Sequence, residues 1–403
     1  MNILIADKFP ETAVEALRRL GHDVDLAPDL GANDLPAAVG GYDVLVVRST
    51  RVTAATIEAA DRLSLVIRAG AGYNTIDWRA AAAEGVYVAN CPGKNAVAVA
   101  ELTMGLVVAV DRRIPDAVAD LRAGRWRKKE YGRADGIAGR TMAIIGLGDI
   151  GAAVARRAHA FELRIAVEDK PGRAPAALAL IEELGITVFP DRNALLAAAD
   201  MVTIHVPGGD ATRHLVSADF LAAMKPGAVL INTSRGDVID EEALLAAITA
   251  KGIRCGLDVY ADEPPAGEAP FDSALARHPS VYGTHHIGAS TNQAQEAIAA
   301  EVVAIVEDFA AGSVRNVVNL ENHLPGTVTL AIRHKNRIGV LAAVLGVIRG
   351  AGLNVEEMHN RVFAGEEAAI ATIQVRGDLA APTVDAIAEV DNVIGVSVSP
   401  RPR

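Results

Sequence analysis

The feature that most constrains the fold is a glycine-rich turn between a predicted strand and a predicted helix. The turn reads Gly146-Leu147-Gly148-Asp149-Ile150-Gly151, follows the apolar run 142–145, and has the spacing G-x-G-x-x-G. The next predicted strand ends in Glu168 and Asp169, and Asp169 lies 18 residues after Gly151. A strand, this turn, a helix and a second strand that ends in an acid are typical of a dinucleotide site. The glycines let the backbone approach a pyrophosphate, and the helix N-terminus attracts its charge.

Asp169 indicates which dinucleotide binds. A carboxylate at the ribose position accepts hydrogen bonds from the ribose hydroxyls and repels a 2′-phosphate, so we predict NAD and not NADP. Asp149 is unusual, because a carboxylate near a pyrophosphate is electrostatically unfavourable. We expect its side chain either to point away or to lower the affinity for the cofactor. The predicted cofactor contacts in this region are Gly146, Gly148, Asp149, Ile150, Gly151 and Asp169.

Strand-like and helix-like runs alternate along the chain, once before residue 111 and again from residue 141 to about 259. This alternation predicts parallel strands joined by crossover helices, and therefore an α/β protein with two doubly wound, Rossmann-like or flavodoxin-like sheets. A helix near 292–311 is expected to return the chain to the first domain. After Leu324-Pro325-Gly326 the order changes to βαββαβ, which predicts a ferredoxin-like domain of roughly 75 residues.

Composition excludes several classes of function. The net charge of −11 argues against nucleic-acid and anionic-membrane binding, because both need a basic surface. Only two cysteines are present, Cys91 and Cys255, too few for a disulfide framework. The N-terminus does not resemble a signal peptide, and the apolar run 102–110 is too short to span a bilayer. These observations predict a cytoplasmic protein without membrane contact, and no metal site is predicted.

One local basic cluster departs from the acidic average. It is expected either to attract an anionic substrate or to be only a solvated helix end and loop. Its members are Arg122, Arg125, Arg127, Lys128, Lys129 and Arg133.

Three polar clusters lie where predicted strands end. They read Asn232-Thr233-Ser234-Arg235-Gly236, Asp258-Val259-Tyr260-Ala261-Asp262-Glu263-Pro264 and Thr284-His285-His286-Ile287-Gly288-Ala289-Ser290-Thr291. Strand ends of this kind carry the functional groups of open α/β sheets. Arg235 can hold a substrate carboxylate, His286 can take or return a hydroxyl proton, and Glu263 can orient the imidazole. The three residues suit the oxidation of a 2-hydroxy acid.

At these motifs the chain resembles the D-isomer-specific 2-hydroxyacid dehydrogenase family, and the resemblance covers essentially the whole sequence. Arg235, Glu263 and His286 match the family's catalytic Arg, Glu and His, although His285 replaces the usual proline before the catalytic His. Within the family the chain is most similar to phosphoglycerate dehydrogenases that carry a C-terminal ACT domain. The resemblance implies NAD-dependent oxidation of D-3-phosphoglycerate to 3-phosphohydroxypyruvate, the first step of L-serine biosynthesis.

The resemblance also implies a domain plan and further contacts. Residues 1–96 and 286–318 would form the substrate domain, 97–285 the NAD-binding domain and 325–403 the ACT domain. Expected substrate contacts are Arg48, Arg68, Gly70, Ala71, Gly72 and Asn95, although a strand-end arginine can instead pair with a carboxylate. Expected further cofactor contacts are His205, Val206, Pro207, Thr233, Ser234, Asp258, Gly288 and Ala289. The extra arginines favour a phosphorylated substrate. A homo-oligomer, either a dimer or a tetramer, is also expected.

The C-terminal domain is similar to amino-acid-binding ACT modules. By that resemblance His334, Asn336 and Asn354 would hold an effector, most simply L-serine, and Ile338 replaces the usual proline of the ligand loop. Alternatively, the polar residues only cap a helix while the module serves dimerisation.

Two other functions remain open at this stage. The first is reduction of another 2-keto acid, such as glyoxylate, hydroxypyruvate or 2-oxoglutarate, because family members share the catalytic motifs. The second is an NAD-sensing binding protein without turnover.

Overall fold

The computed structural model describes residues 1–264, 268–321 and 327–400, which form two compact units. The first unit is Met1–Asn319 and the second is Leu320–Arg403. The stretch 263–270 is rich in proline, glycine and glutamate, which predicts a loop. Its residues 265–267 and the predicted linker Leu324-Pro325-Gly326 lie outside the described residues.

The first sheet has five parallel strands in the order β2-β1-β3-β4-β5. Its strands are β1 (Asn2–Ile5), β2 (Asp23–Leu26), β3 (Val44–Val47), β4 (Leu65–Arg68) and β5 (Tyr87–Asn90). The helices between them are α1 (Glu11–Arg19), α2 (Leu35–Ala38), α3 (Ala54–Ala59) and α4 (Trp78–Ala83). Strands β1, β3 and β4 are almost wholly buried, as parallel strands covered by helices on both faces require.

A long helix, α5 (Ala96–Arg112), leads from the first sheet towards the second. It is apolar on most sides because it packs between elements: Met104, Val107 and Val110 share a core with Ile144. Two shorter helices follow it, α6 (Ile114–Arg122) and α7 (Lys128–Tyr131), so the predicted basic loop is partly helical.

The second sheet has seven parallel strands in the order β12-β11-β10-β9-β6-β7-β8. Its strands are β6 (Thr141–Ile145), β7 (Arg164–Glu168), β8 (Thr187–Phe189), β9 (Met201–Ile204), β10 (Val229–Asn232), β11 (Arg254–Leu257) and β12 (Val281–Gly283). The connecting helices are α8 (Asp149–Ala160), α9 (Pro175–Leu184), α10 (Arg192–Ala198), α11 (Ala218–Ala223) and α12 (Glu241–Lys251).

Helix α13 (Asn292–Ala310) packs back on the first sheet. Its buried residues Ile298, Val302 and Ile305 share a core with Ile3 and Ile5 of β1. Residues distant in sequence therefore build one side of the first sheet. The predicted domain boundaries at residues 96/97 and 285/286 stay predictions.

The second unit has the order βαββαβ and an antiparallel sheet with strand order β14-β15-β13-β16. Its elements are β13 (Thr327–Lys335), α14 (Val340–Gly350), β14 (Asn354–Val362), β15 (Ala368–Arg376), α15 (Ala381–Ala388) and β16 (Val393–Pro400). Alternate residues of β15, from Ala369 to Val375, are buried under the helices. The predicted fold class, two doubly wound parallel sheets with a ferredoxin-like unit, is confirmed.

The sequence pattern missed one strand, β2, and the first residues of another, β11. Strand β2 was not predicted, because Asp23 and Asp25 interrupt its apolar residues on an edge strand. The run 256–259 predicts a strand that begins at Gly256, but β11 begins two residues earlier, because Arg254 and Cys255 pair with β10. Within the described residues, no helix combines the length and apolar character needed to cross a membrane.

We predict that Ile305→Ala lowers the free energy of unfolding of the first unit by about 2–5 kcal/mol, because it empties a fully buried site between α13 and the first sheet. Glu307→Ala on the exposed side of α13 is the control, with a change below about 0.5 kcal/mol. Both tryptophans, Trp78 and Trp126, lie in the first unit, so tryptophan fluorescence in urea reports on that unit. Equal losses of unfolding free energy in the two variants would contradict the packing of α13 against the first sheet.

Candidate active site

A histidine and a glutamate form a hydrogen-bonded pair beyond the ends of β11 and β12. His286 Nδ1 lies 2.6 Å from Glu263 Oε2, and the Tyr260 amide donates to Glu263 Oε1 at 2.9 Å. His286 has a φ of +53°, and its amide donates to the Asp258 carbonyl at 2.7 Å. Because Nδ1 is engaged by the carboxylate, Nε2 is the ring nitrogen left to exchange a proton.

The glutamate of this pair is stabilised in its charged form. Burial by itself would raise the pKa of Glu263, but the hydrogen bonds from His286 and the Tyr260 amide, with the charges of His286 and Arg235, lower it below its usual range. Glu263 is therefore ionised near neutral pH and can stabilise a proton gained by His286.

Asp258 holds the loop that carries His286. Its buried carboxylate accepts hydrogen bonds from Thr284 Oγ1 at 2.6 Å, the Ile287 amide at 2.8 Å and the Gly288 amide at 2.8 Å. Both carboxylate oxygens are thus engaged by the protein. Asp258 was predicted to contact the cofactor, and these bonds give it the additional task of positioning the histidine loop.

Arg235 follows β10 and extends towards the first sheet. The Asn232 side chain shapes the turn before it, accepting from the Ser234 amide at 3.0 Å and donating to the Arg235 carbonyl at 2.9 Å. A methyl group on Gly72 would lie 2.2 Å from Arg235 Nη2, so only glycine admits the guanidinium there. Burial lowers the pKa of Arg235, which the charges of Glu263 and Asp237 oppose.

Three arginines predicted to hold the substrate gather at this place. Burial, together with the positive charges of Arg235 and Arg48, lowers the pKa of Arg68 to about 10. Arg48 Nη1 donates to Gln295 Oε1 at 3.0 Å, and Asp7 holds the backbone of the same loop through the Arg48 amide at 2.6 Å. Among the described residues, no carboxylate lies within 4 Å of any of the three guanidinium groups. The cluster is therefore a candidate anion site.

The glycine-rich turn has the geometry expected of a dinucleotide site. Gly146 has a φ of +99°, and an added Cβ would lie 2.4 Å from the His205 carbonyl oxygen. An added Cβ on Gly151 would lie 2.0 Å from the Gly146 oxygen. At Gly148 the corresponding space is open, immediately before the N-terminus of α8. Gly146 and Gly151 are therefore packed tightly against neighbouring backbone, whereas the middle glycine, Gly148, is accessible, as close approach of a pyrophosphate requires.

The two acids at the end of β7 differ in availability. Arg192 forms two hydrogen bonds with Glu168, at 2.9 and 3.0 Å, so Glu168 is occupied. Asp169 is exposed, and its side chain makes no hydrogen bond or ion pair within the part of the chain that the structure describes. Asp169 is thus the better acceptor for ribose hydroxyls.

Several buried polar atoms near these strand ends lack a partner among the described residues: Arg68 Nε, Asn95 Oδ1 and His205 Nδ1. Thr203 Oγ1 lies 2.8 Å from His205 Nε2, and burial lowers the pKa of His205 to about 3, so the ring is neutral. Unpaired buried polar atoms cost free energy unless a ligand completes them. Their positions fit the predicted substrate and NAD sites.

The other predicted contacts lie at the same strand ends. Thr233 and Ser234 are buried, and Thr233 Oγ1 lies 3.0 Å from Thr103 Oγ1. Ala71 accepts from Asn90 Nδ2 at 2.6 Å. The remaining predicted residues in these loops are Gly70, Val206, Pro207, Gly288 and Ala289. Their roles as ligand contacts stay predictions.

The sequence analysis missed the residues that support the site through contacts distant in sequence. Their side chains hold functional loops in place, and no local pattern marks them. They are Asp7 and Gln295. Thr284 belongs to the third polar cluster, but no role was predicted for its hydroxyl, which donates to Asp258.

Part of the basic cluster is neutralised locally. The buried Asp120 lies 2.5 Å from Arg125 and 3.4 Å from Arg127, and hydrogen bonds from Tyr131 and Arg125 lower its pKa. This pairing weakens the expectation that the whole cluster attracts an anionic substrate.

In the second unit, the predicted effector residues do not meet within one chain. Asn354 pairs with Arg376 at one end of β15, whereas His334 pairs with Ala369, seven residues along the same strand and roughly 24 Å away. His334 is buried, with Nδ1 2.8 Å from the Lys335 oxygen and Nε2 3.1 Å from Asn360 Oδ1. His334, Asn336 and Asn354 therefore do not form one site within a single chain, because β14 begins at the opposite end of the sheet.

Comparison with known proteins identifies the family of the NAD site. Residues 104–288 match the family model described as D-isomer specific 2-hydroxyacid dehydrogenase, NAD binding domain. This match confirms the predicted cofactor, NAD, for this part of the chain.

Three relatives illustrate the similarity. A D-3-phosphoglycerate dehydrogenase of Methanocaldococcus jannaschii is 39% identical over 80% of this chain, which spans only 60% of that relative's length. A D-3-phosphoglycerate dehydrogenase of Mycobacterium tuberculosis is 36% identical, over 96% of this chain and 68% of its own. A hydroxypyruvate reductase of Thermotoga maritima is 39% identical, over 68% of this chain and 87% of its own.

Solved structures share the fold as well. The TT0316 protein of Thermus thermophilus superposes with a TM-score of 0.69 at 30% identity, covering 79% of this chain and all of its own. The shared fold, the matched NAD-binding domain and the extent of the relatives agree: this chain belongs to the D-isomer specific 2-hydroxyacid dehydrogenase family.

Proposed function

We propose that the chain oxidises D-3-phosphoglycerate to 3-phosphohydroxypyruvate with NAD as hydride acceptor. The observation that carries this proposal is the arginine cluster of Arg48, Arg68 and Arg235 beside the His286–Glu263 pair. Similarity to relatives named D-3-phosphoglycerate dehydrogenase supports the same substrate.

The His286–Glu263 pair would move the proton. With Nδ1–H donated to Glu263 Oε2, His286 Nε2 can accept the proton of the substrate's 2-hydroxyl as the hydrogen on C2 leaves with both bonding electrons. NAD supplies the acceptor for that hydride. Glu263 stabilises the imidazolium that results, and in the reverse direction His286 returns the proton to the keto oxygen.

The arginines would hold the two anionic ends of the substrate. The charge of Glu263 acts on Arg235, and the charges of Arg235 and Arg48 act on Arg68. A carboxylate at Arg235 lies next to the reacting carbon, which leaves Arg68 and Arg48 for a phosphate. Two anionic groups would relieve the repulsion among three partly buried cations.

NAD would be preferred to NADP through Asp169. Its exposed carboxylate suits the ribose hydroxyls and repels a 2′-phosphate. The catalytic, cofactor and domain assignments predicted above belong to this proposal, including a substrate domain of residues 1–96 and 286–318. The buried free thiols Cys91 and Cys255 agree with a reducing compartment such as the cytoplasm.

A second candidate is reduction of hydroxypyruvate. The observation that favours it is the Thermotoga maritima hydroxypyruvate reductase, which this chain covers almost entirely. Hydroxypyruvate lacks the phosphate, so this reaction leaves Arg48 and Arg68 without an anion.

The second unit would bind an amino-acid effector such as L-serine between two copies of the chain. Strand β14 is a sheet edge with mostly exposed side chains. Antiparallel pairing of β14 with its copy would bring Asn354 of one chain to the end where the other carries His334 and Asn336. The site would then require the predicted homo-oligomer.

We predict that kcat/KM is highest for 3-phosphoglycerate in a panel with D-glycerate, D-lactate and, in reverse, hydroxypyruvate, and that NAD outperforms NADP. His286→Ala should lower kcat at least about a hundredfold, because it removes the proton acceptor. His285→Ala changes the exposed neighbour and serves as control. Preference for hydroxypyruvate over the phosphorylated acid would favour the second candidate, and absence of turnover with bound NADH would indicate a sensor.

Arg68→Met is expected to raise the melting temperature in anion-free buffer, because it removes a charge that burial and two other arginines disfavour. Inorganic phosphate should stabilise the wild-type chain more than this variant, since only the wild type keeps the complete anion site. Arg51→Met, at an exposed arginine of the loop after β3, is the control at matched ionic strength. A lower melting temperature for Arg68→Met in anion-free buffer would show that the charge is not costly.

Asn336→Ala and Asn354→Ala are each expected to abolish calorimetric binding of L-serine. Co-expression of the two variants should restore one intact site in a mixed pair, because the defects then fall on opposite chains. Serine must also slow turnover, which requires tighter binding to the less active arrangement. No binding to wild-type protein at millimolar serine would reject the site, and loss of binding that mixed pairs fail to restore would reject its location between chains.

A further inference from the structure

Asp149 is the one acid of the glycine-rich turn, and the proposed reaction gives it no task. It is the first residue of α8 and is exposed. Its side chain lies against Gly93, in the stretch between β5 and α5. A Cβ built on Gly93 would lie 2.9, 3.3 and 3.8 Å from Asp149 Oδ2, Cγ and Cβ, and Gly93 has a φ of +73°. The carboxylate therefore occupies space that only a glycine at position 93 leaves free.

No cation balances this carboxylate among the described residues. Asp149 and Gly93 line a cleft of about 540 Å³ that also contains Lys94, Arg156 and Arg157. Each of these cations pairs elsewhere: Lys94 lies 2.9 Å from Glu301, Arg157 lies 3.5 Å from Glu101, and Arg156 pairs with Glu183. The charge of Asp149 is thus uncompensated at the point where the turn approaches a dinucleotide.

An acid in this position opposes the usual attraction of the turn. The N-terminus of α8 attracts the pyrophosphate because its free N–H groups carry partial positive charge. The carboxylate of Asp149 neutralises part of that positive charge and repels the pyrophosphate, which is also an anion. Screening over a few ångströms of water weakens this repulsion but does not remove it.

We propose that Asp149 is a repulsive element that lowers the affinity of this chain for dinucleotide pyrophosphates, and that Gly93 is a positioning residue that fixes where its carboxylate stands. The inference rests on the proposed NAD site. Its consequence is faster loss of the reduced cofactor, since a weaker complex formed at a similar rate dissociates sooner. Product release limits turnover in many enzymes, so a residue that speeds the release of a product such as the reduced cofactor can favour turnover at the expense of affinity.

The test is the dissociation constant of NADH, measured by NADH fluorescence with Asp149→Asn, which keeps the shape and removes the charge. We expect about three- to tenfold tighter binding at low salt, the size of a screened charge–charge interaction. The difference should shrink towards 1 M salt, where the Debye length is about 3 Å. Asp219→Asn is the matched control, because it removes an acid from the first turn of α11, outside the glycine-rich turn, and should leave the constant unchanged.

Gly93→Ala tests the positioning role. Its added methyl must displace the Asp149 side chain, so we introduce it both into the wild-type chain and into the Asp149→Asn variant. The change in NADH affinity that it causes should differ by at least about threefold between these two backgrounds, the size of the charge effect expected above. A melting curve for each variant verifies that it is folded. Equal effects in both backgrounds would overturn the role of Gly93.

The outcomes separate this inference from the proposed function. If wild-type protein binds NADH and Asp149→Asn binds it equally well at low salt, the repulsive role is overturned while the proposed function stands. If wild-type protein does not bind NADH, both are overturned. Tighter binding that persists unchanged at high salt would indicate a structural effect of the substitution and would also overturn the electrostatic role.

Discussion

The clustering of three guanidinium groups is the constraint on which the rest of the site depends. Arg48, Arg68 and Arg235 repel one another, and burial removes much of the water that would screen them. Such a cluster persists only if the backbone that carries it is stabilised elsewhere. Arg68 ends a buried strand, Asp7 fixes the loop of Arg48 through three backbone amides, and Asn232 fixes the turn of Arg235. The cores of both sheets thus offset an arrangement that is locally unfavourable and useful only when an anion is bound.

The His286–Glu263 pair, proposed to transfer the proton, depends on a comparable support. His286 has a left-handed φ, and the loop around it is held by three hydrogen bonds to the buried carboxylate of Asp258. Asp258 and Glu263 belong to the segment after β11, while His286 follows β12. Because β11 and β12 are parallel neighbours, their carboxyl ends meet at the same edge of the sheet. The geometry of the His286–Glu263 pair therefore follows from strand adjacency and does not require nearness in sequence.

Much of this could be predicted because the signals are local. The glycine-rich turn, the strand-end acids and the Arg, Glu and His motifs are short patterns whose chemistry fixes their place at the ends of parallel strands. The rest depends on tertiary contacts. Asp169 was predicted at the ribose from the sequence, but the contact that favours it over Glu168, the pairing of Glu168 with Arg192, follows no local pattern. The support of Arg48 by Gln295 joins residues 247 positions apart. Asn354 was grouped with His334 and Asn336 by resemblance, and only the register of β14 separates them within one chain.

Some of the departures from ordinary folding rules lie where ligands would bind. Arg68 Nε, Asn95 Oδ1 and His205 Nδ1 are buried without partners among the described residues, and each costs stability in the free chain. A bound ligand that completes them recovers this free energy, so binding is favoured by what folding leaves unsatisfied. Asp149 acts in the opposite direction: its carboxylate already interacts with the positive N-terminus of α8, so the pyrophosphate must compete with it for that interaction. In such a site the unpaired polar atoms favour ligand binding, while the charge of Asp149 favours release of the cofactor.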